Sequence, residues 1–163
     1  MSPPSGEGEV DPGKTYHRGR RGRFALVGVA IAGALVWWAR PFRAVVRGPS
    51  MAPALLDGDV VVAFAGARPA VGDVVVVEHP GRAGYEMVKR VAGAPGDALR
   101  ELPDGRLPAP VALGAGEWFV VGDAPDASTD SRSFGPVRDE HLRGVVRFVV
   151  WPRRRVGAVP RRR

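Results

Sequence analysis

Five glycine-aspartate pairs divide the middle of the chain into short segments, and they restrict the fold more than any other feature. They are Gly58-Asp59, Gly72-Asp73, Gly96-Asp97, Asp104-Gly105 and Gly122-Asp123. Such pairs mark turns. The runs rich in valine and aromatic residues are typical of strands; they are Val60–Phe64, Val74–Val77, Trp118–Val121 and Val145–Trp151. No long amphipathic helix fits between the turns. The sequence therefore predicts a mainly β domain of short, coiled strands, with a helical turn at Met51–Leu56.

An uncharged apolar run precedes this domain, from Phe24 to Ala39. A core helix is rarely apolar on all sides, and a cleaved secretory segment needs small residues where Trp37 and Trp38 stand. A transmembrane helix is the third interpretation. Sixteen residues span about 24 Å, against about 30 Å for a bilayer core. The flanking arginines can reach either interface, so we favour an uncleaved membrane span.

The basic residues around the run indicate its orientation. Lys14, Arg18, Arg20, Arg21 and Arg23 precede it, whereas Arg40, Arg43 and Arg47 follow it. This modest excess places the N-terminus in the cytoplasm and the remainder outside the cell membrane, in a single pass. The predicted organisation is a disordered basic tail at residues 1–22, the anchor at 23–40, a β domain at 42–152 and an arginine-rich tail at 153–163.

Composition excludes several functions. The chain has no cysteine, so disulfides and thiolate chemistry are absent, and its three histidines are too scattered to suggest a metal site or any cofactor. The net charge of +7 comes from arginines beside the apolar run and in the last eleven residues. No basic and aromatic stripe crosses the domain, which argues against nucleic acid as a partner. The arginine-rich tail is either simply solvated or in contact with anionic lipids.

Two polar residues stand in unusual surroundings. Ser50 follows Gly48-Pro49, which makes a rigid turn, although a serine there could simply cap a short helix. Lys89 shares one face of a predicted strand with Met87 and Val91. Apolar neighbours lower the pKa of a lysine and allow its neutral amine to act as a base, although an edge-strand lysine can also serve only to block aggregation. Neither residue is decisive alone.

In combination, these residues belong to a series that resembles the type I signal peptidases. The series runs Gly48-Pro49-Ser50-Met51-x-Pro53-x-Leu55-x-x-Gly58-Asp59, Gly72-Asp73-Val74-Val75, Val88-Lys89-Arg90-Val91 with Gly96-Asp97, Gly122-Asp123, Asp130-Ser131-Arg132-x-Phe134-Gly135-x-Val137 and Gly144–Arg153. The similarity extends from about residue 43 to residue 155. It departs from the family at Ala124, where an asparagine is frequent.

The resemblance implies roles for five residues. Ser50 is expected to be the nucleophile and Lys89 its general base. Ser128 falls where the family has a serine that orients the lysine amine. Asp130 and Arg132 fall on an acid–arginine pair that shapes the site. The family fold is mainly β, in agreement with the strand pattern.

The resemblance also implies a substrate and a cleft. The family cuts secreted precursors after small residues at P1 and P3, and the substrate strand is expected to pair between Phe42–Val46 and Glu86–Lys89. Met51, Leu55 and Val88 are candidates for the lining of the S1 pocket. The Ser50 N–H is one oxyanion donor; Gly48 lacks the hydroxyl that some members use as a second, which leaves that donor unassigned.

Three functions remain open. The first is a membrane serine endopeptidase that removes signal peptides from secreted precursors. The second is a dedicated protease for one partner, similar to the compact maturation proteases of nickel superoxide dismutase, although these usually lack an anchor. The third is an inactive membrane-tethered β module, against which the joint presence of Ser50, Lys89 and Ser128 argues.

Overall fold

The computed structural model describes residues 40–162, and these form a mainly β structure. The strands are β1 (Pro41–Val45), β2 (Val60–Phe64), β3 (Val74–Glu78), β4 (Glu86–Gly93), β5 (Ala98–Leu99), β6 (Val111–Ala112), β7 (Glu117–Val121), β8 (Val137–Arg138), β9 (Leu142–Trp151) and β10 (Gly157–Ala158). One short helix, α1, covers Ser131–Phe134, and 3₁₀ turns lie at Pro125–Ala127, Asp139–His141 and Arg153–Arg155. The mainly β fold predicted from the turn spacing is confirmed.

Eight strands form one antiparallel sheet in the order β1-β2-β9-β3-β4-β7-β8, with β10 added to β9. The ten-residue strand β9 lies in the middle and pairs with both β2 and β3. Register shifts interrupt its pairing with each of these strands, and such irregularities bend and twist a sheet locally. Strands β5 and β6 form a separate hairpin.

All four valine-rich runs lie in strands, and β2 has the predicted bounds. The predicted helical turn at Met51–Leu56 is a series of turns in which Leu55 N–H donates to the Met51 carbonyl at 2.9 Å. The short strands β1, β5, β6, β8 and β10 were not among the predicted runs. Strands of two residues carry no periodic signal because they are shorter than one repeat of the alternating pattern.

Strand β3 divides the main core into two clusters. Its valines alternate, with Val74 and Val76 in one cluster and Val75 and Val77 in the other, as the period of a strand requires. All four are buried, so β3 reads as a continuous apolar run. The first cluster also contains Met51 and Leu55 beneath the turn that carries Ser50. The second includes Met87, Val91, Trp118, Val120, Val137 and Val145.

The structure describes the two ends of the chain to different extents. The predicted basic tail and anchor (residues 1–22 and 23–40) lie, except for Arg40, outside the described residues. Between residues 40 and 162, no helix is both long and apolar enough to cross a membrane. At the C-terminal end, the segment predicted as an arginine-rich tail contributes strand β10, which pairs with Phe148 and Val149 of β9.

Candidate active site

Ser50 lies on a tight turn directly after β1. Gly48 has a φ of +77°, a left-handed conformation that suits glycine, and its N–H donates to Asp57 Oδ1 at 2.7 Å. The Ala52 N–H donates to the Pro49 carbonyl at 2.9 Å. The turn is therefore closed on both sides of Ser50, and it presents this partly buried side chain to a cleft.

Lys89 enters the site from β4. It is only 3% exposed, because Met87 and Val91 flank it on the same face of the strand and both belong to the second core cluster. Its Nζ donates to Ser50 Oγ at 3.0 Å and to Ser128 Oγ at 3.0 Å. Burial in this apolar environment lowers the pKa of Lys89 below its usual value, and the charge of Asp130 opposes that effect.

Ser128 connects the lysine to a buried carboxylate. Its hydroxyl donates to Asp130 Oδ2 at 2.7 Å. Because a hydroxyl has one proton, Ser128 can only accept from Lys89 while this bond exists. The direction of the chain of hydrogen bonds is thereby fixed from Lys89 through Ser128 to Asp130.

Asp130 is fully buried and is the N-cap of helix α1. Burial alone would raise its pKa, but hydrogen bonds from Arg132, Gly122 N–H and Ser128 outweigh burial and lower it. Arg132 Nε donates to Oδ1 at 2.9 Å and Nη2 to Oδ2 at 2.6 Å, which is the bidentate geometry of strong arginine–carboxylate pairs. Asp130 is therefore charged and fixed in place.

Gly122 permits the close approach of these groups. A Cβ at this position would lie 2.5 Å from the Ser50 carbonyl oxygen and 2.6 Å from Ser128 Cβ, distances that atoms not bonded to one another do not tolerate. Its N–H also donates to Asp130 Oδ2 at 2.8 Å. From the sequence, Gly122 is only a turn residue within a motif. The steric need for glycine depends on neighbours that are distant in the sequence.

A second buried ion pair joins the residue after Lys89 to the residue after Gly122. Arg90 follows Lys89 and Asp123 follows Gly122; the Arg90 guanidinium donates to both Asp123 oxygens at 2.7 Å. Both residues belong to the motif series, but the sequence alone indicates no role for them. Their opposite charges in two adjacent motifs were the available signal, and this signal does not reveal contact across 33 positions.

The cleft beside Ser50 has a volume of about 470 Å³. Residues 45–51 form one wall and residues 85–89 the other, with His79, Arg82, Ala127 and Thr129 at its margins. Met51 and Val88, two of the three residues expected to line the S1 pocket, lie along this cleft. Leu55, the third, does not line it, although it packs with Met51 in the first core cluster beneath the turn. The structure thus brings seven of the eight predicted site residues to one place.

A serine hydroxyl that contacts a buried lysine amine, beside an open cleft on a β domain, is an arrangement suited to a serine hydrolase that uses lysine in place of histidine. The chain belongs to the family described as signal peptidase, peptidase S26, which it matches over residues 20–109 and 104–151. The family resemblance stated from the sequence is confirmed.

Similar proteins are named as protease subunits of the mitochondrial inner membrane. The chain is 38% identical over 115 residues to the mitochondrial ATP-independent inner membrane protease subunit 1a of Arabidopsis thaliana, covering 66% of this chain and 68% of the relative. It is 34% identical over 110 residues to mitochondrial inner membrane protease subunit 1 of Xenopus tropicalis, covering 64% and 66%. The Homo sapiens subunit 1 is 33% identical over 112 residues, covering 64% and 66%. The matches therefore span about two thirds of each relative.

Proposed function

We propose that the protein is a membrane-bound serine endopeptidase that removes N-terminal signal peptides from precursors after small residues. In this proposal Ser50 is the nucleophile and Lys89 is the general base. The observation that carries it is the 3.0 Å contact between Lys89 Nζ and Ser50 Oγ. This distance is within reach of direct proton transfer.

The lysine must be neutral to accept a proton, and its surroundings favour that state. An exposed lysine holds its proton to about pH 10.4, whereas burial lowers the pKa of Lys89. The neutral amine takes the proton from Ser50 Oγ, which then attacks the scissile carbonyl carbon and forms the tetrahedral intermediate. Lys89 next returns the proton to the leaving amine, and the acyl-enzyme remains on Ser50.

Ser128, Asp130 and Arg132 hold the amine in a reactive orientation. Ser128 accepts one N–H of Lys89 while it donates to Asp130. With one N–H directed to Ser128, the lone pair of the neutral amine can face Ser50. Arg132 keeps Asp130 ionised and fixed, so that Ser128 cannot rotate its proton toward Lys89.

The oxyanion requires preorganised donors. The Ser50 N–H is the first candidate, because Pro49 has no N–H. Gly48 offers no hydroxyl, and its N–H is already bound to Asp57 Oδ1. The leaving amine, which is the new N-terminus of the mature protein, departs when the acyl-enzyme forms. Water then attacks the acyl-enzyme with Lys89 again as base, which releases the cleaved signal peptide with a free carboxylate and restores the Ser50 hydroxyl.

The cleft fits an extended peptide. Its two walls are the end of β1 with the following turn and the start of β4, and strand addition between such segments supplies main-chain hydrogen bonds. Met51 and Val88 provide apolar lining close to Ser50. Small residues at P1 and P3 are the substrate feature that the family resemblance implies.

The proposal places the enzyme at a membrane, with the apolar run Phe24–Ala39 as its single-pass anchor and an N-terminal cytoplasmic tail. Two observations support the location: the family match begins at residue 20, and the relatives are named as inner membrane proteases. Ser50 follows the run by only eleven residues in the sequence. In the arginine-rich segment, Arg153 is exposed and is a candidate for contact with anionic lipids.

Cleavage of a precursor that carries an Ala-x-Ala site tests the proposal. The full chain in detergent is compared with Ser50→Ala and Lys89→Ala. Cleavage after the second alanine by the wild type, abolished in both variants, is the expected result. Activity in Ser50→Ala would refute the assignment of the nucleophile. A panel of unrelated precursors then separates general processing from a dedicated protease, which would cut one member only.

A further inference from the structure

The last described segment, here named the C-terminal arm (Pro152–Arg162), crosses the domain from the Ser50 turn to the strand that carries Lys89. It begins with the 3₁₀ turn after β9, continues as β10 and pairs back onto β9. The Val159 N–H then donates to the Arg147 carbonyl at 2.9 Å. Val159 packs against the first core cluster, which contains Met51 next to Ser50.

One end of the arm holds the turn that presents Ser50. Arg155 Nε lies 2.9 and 3.0 Å from the two Asp59 oxygens, and its Nη2 donates to the Ala54 carbonyl at 3.1 Å. Asp59 is 1% exposed and also accepts the Leu56 N–H at 2.9 Å. A single guanidinium thus bonds to both Ala54 and Asp59, which lie in the segment that connects Ser50 to β2.

The same segment is joined to the end of β1, directly before the Ser50 turn. The Val46 N–H donates to the Asp59 carbonyl at 2.8 Å, and the Gly58 N–H donates to the Val46 carbonyl at 2.9 Å. Movement of Asp59 would therefore move Val46, which lies only four residues before Ser50. Arg155 itself does not line the cleft.

The other end of the arm holds the surroundings of Lys89. The Pro160 carbonyl accepts from Arg90 Nη1 at 3.1 Å, and Arg90 is the neighbour of Lys89 in β4. Arg161 Nε donates to the buried carboxylate of Asp73 at 2.8 Å. The arm therefore bonds, within eight residues, to both of the elements that carry the two reactive groups.

We propose that Arg155 is a positioning residue for Ser50, and that the C-terminal arm sets the separation between Ser50 Oγ and Lys89 Nζ. This inference rests on the proposed function. Loss of the Arg155 side chain leaves the Asp59 carboxylate buried without its cation, and such a group draws in water or shifts toward solvent. The Ser50 turn shifts with it, while the opposite wall of the cleft (residues 85–89) and the surroundings of Lys89 stay unchanged. Misplacement by about 1 Å at a reacting centre reduces a rate by about a hundredfold.

The test compares Arg155→Ala with Arg154→Ala in the full chain. Arg154 is the adjacent arginine, carries the same charge and is exposed, so it controls for charge in this segment. We expect kcat for cleavage of the Ala-x-Ala precursor to fall about 10- to 100-fold in Arg155→Ala, with KM changed less than about twofold. Arg154→Ala should keep the wild-type kcat. All variants are assayed at a temperature where circular dichroism shows them fully folded.

The pH profile separates positioning from mere stabilisation. In Arg155→Ala the plateau of kcat falls while the midpoint of its acid limb, which reports Lys89, stays in place. A kcat in folded Arg155→Ala equal to that of Arg154→Ala would overturn the inference. If Arg155→Ala does not fold, Arg155→Gln takes its place. It removes the positive charge and cannot contact both Asp59 oxygens and the Ala54 carbonyl together, so kcat should still fall, and a wild-type kcat in this variant would also overturn the inference.

The proposed function and this inference fail in different ways. An inactive wild type, or an active Ser50→Ala variant, refutes the function. An active wild type with an inactive Ser50→Ala variant and a fully active Arg155→Ala variant refutes only the role of Arg155.

Discussion

Lys89 and Arg90 are consecutive residues of β4, and both are buried, yet their surroundings are opposite. The Arg90 guanidinium contacts the Asp123 carboxylate through two bonds and also donates to the Gly72 carbonyl at 2.7 Å. Within residues 40–162, Lys89 Nζ contacts two serine hydroxyls and forms no ion pair with a carboxylate. Alternation along a strand places the two side chains on opposite faces. Strand β4 thus carries on one face a guanidinium paired with a carboxylate, and on the other an amine whose hydrogen-bond partners within residues 40–162 are hydroxyls.

The difference shows how the fold separates stability from chemistry. The carboxylate whose charge raises the pKa of Lys89 is that of Asp130. It accepts from the Ser128 hydroxyl and from Arg132 Nη2, the latter at 2.6 Å. Asp130 therefore orients the amine through Ser128 without pairing with it directly. The lysine keeps a lowered pKa, which favours the neutral form that a base requires.

The largest expected effect comes from removal of the Lys89 amine. Lys89→Met retains an unbranched chain but no amine, and we expect cleavage activity to fall at least about a thousandfold. Because the folded pKa of Lys89 lies below its unfolded value, the buried amine costs stability at neutral pH, and that cost disappears only above the unfolded pKa. The variant should therefore gain about 1 kcal/mol in free energy of unfolding. Precursor cleavage and urea unfolding measure the two effects.

Arg90→Met removes the ion pair between Arg90 and Asp123. It leaves Asp123 buried without its cation, so we expect a loss of about 3–5 kcal/mol in free energy of unfolding, measured by the same urea titration. At temperatures where the variant is folded it should still cleave the precursor, since Ser50 and Lys89 remain. A stable but inactive Arg90→Met variant would contradict the view that Arg90 contributes to stability and Lys89 to catalysis.

The sequence allowed the prediction of Lys89 but not of this contrast. Strand alternation and apolar neighbours placed Met87, Lys89 and Val91 on one buried face, as the structure shows them. The partner of Arg90 lies 33 positions away, and pairing over that distance depends on how β4 meets β7. Local patterns therefore indicate which residues are buried and not which residues they contact.

The same limit explains the remaining differences. Leu55 was expected in the cleft because it belongs to the motif around Ser50, but whether a side chain faces the cleft or the core depends on the turn between them. Arg155 was expected in a tail, since a run of arginines normally remains solvated. Its buried partner, Asp59, was read as a turn residue after Gly58. Neither side of this pair signals the other in the sequence.

The link between Lys89 and Asp130 can be broken by Ser128→Ala. This change removes the acceptor that directs the amine, and the loss of one hydrogen bond to a charged or reactive group corresponds to about 1.5–3 kcal/mol, or roughly 10- to 150-fold in kcat. KM should change little because Ser128 does not line the cleft. Ser133→Ala, in helix α1 nearby, is the matched control and should retain full kcat. An unaltered kcat in Ser128→Ala would show that the amine needs no orienting hydroxyl.

The smallest expected effect is on the pH dependence of kcat/KM. Activity should rise with pH as Lys89 loses its proton, with a midpoint below the usual pKa of lysine because burial lowers it. The positive charge of Arg132 also lowers the pKa of Lys89, so Arg132→Gln should move the acid limb to higher pH. The exposed Arg106, which pairs with Asp126, provides the control: Arg106→Gln should leave the limb in place.

Asp130→Asn gives the opposite sign and completes the test. The charge of Asp130 raises the pKa of Lys89, so its removal should move the acid limb to lower pH. The plateau should fall, because an asparagine amide keeps only one of the two acceptor oxygens that Ser128, Gly122 and Arg132 share. If both variants moved the limb in one direction, the pH dependence would reflect a general loosening of the site. Opposite shifts require a titrating group whose pKa depends on both charges, and Lys89 is the buried amine whose pKa Asp130 raises and Arg132 lowers.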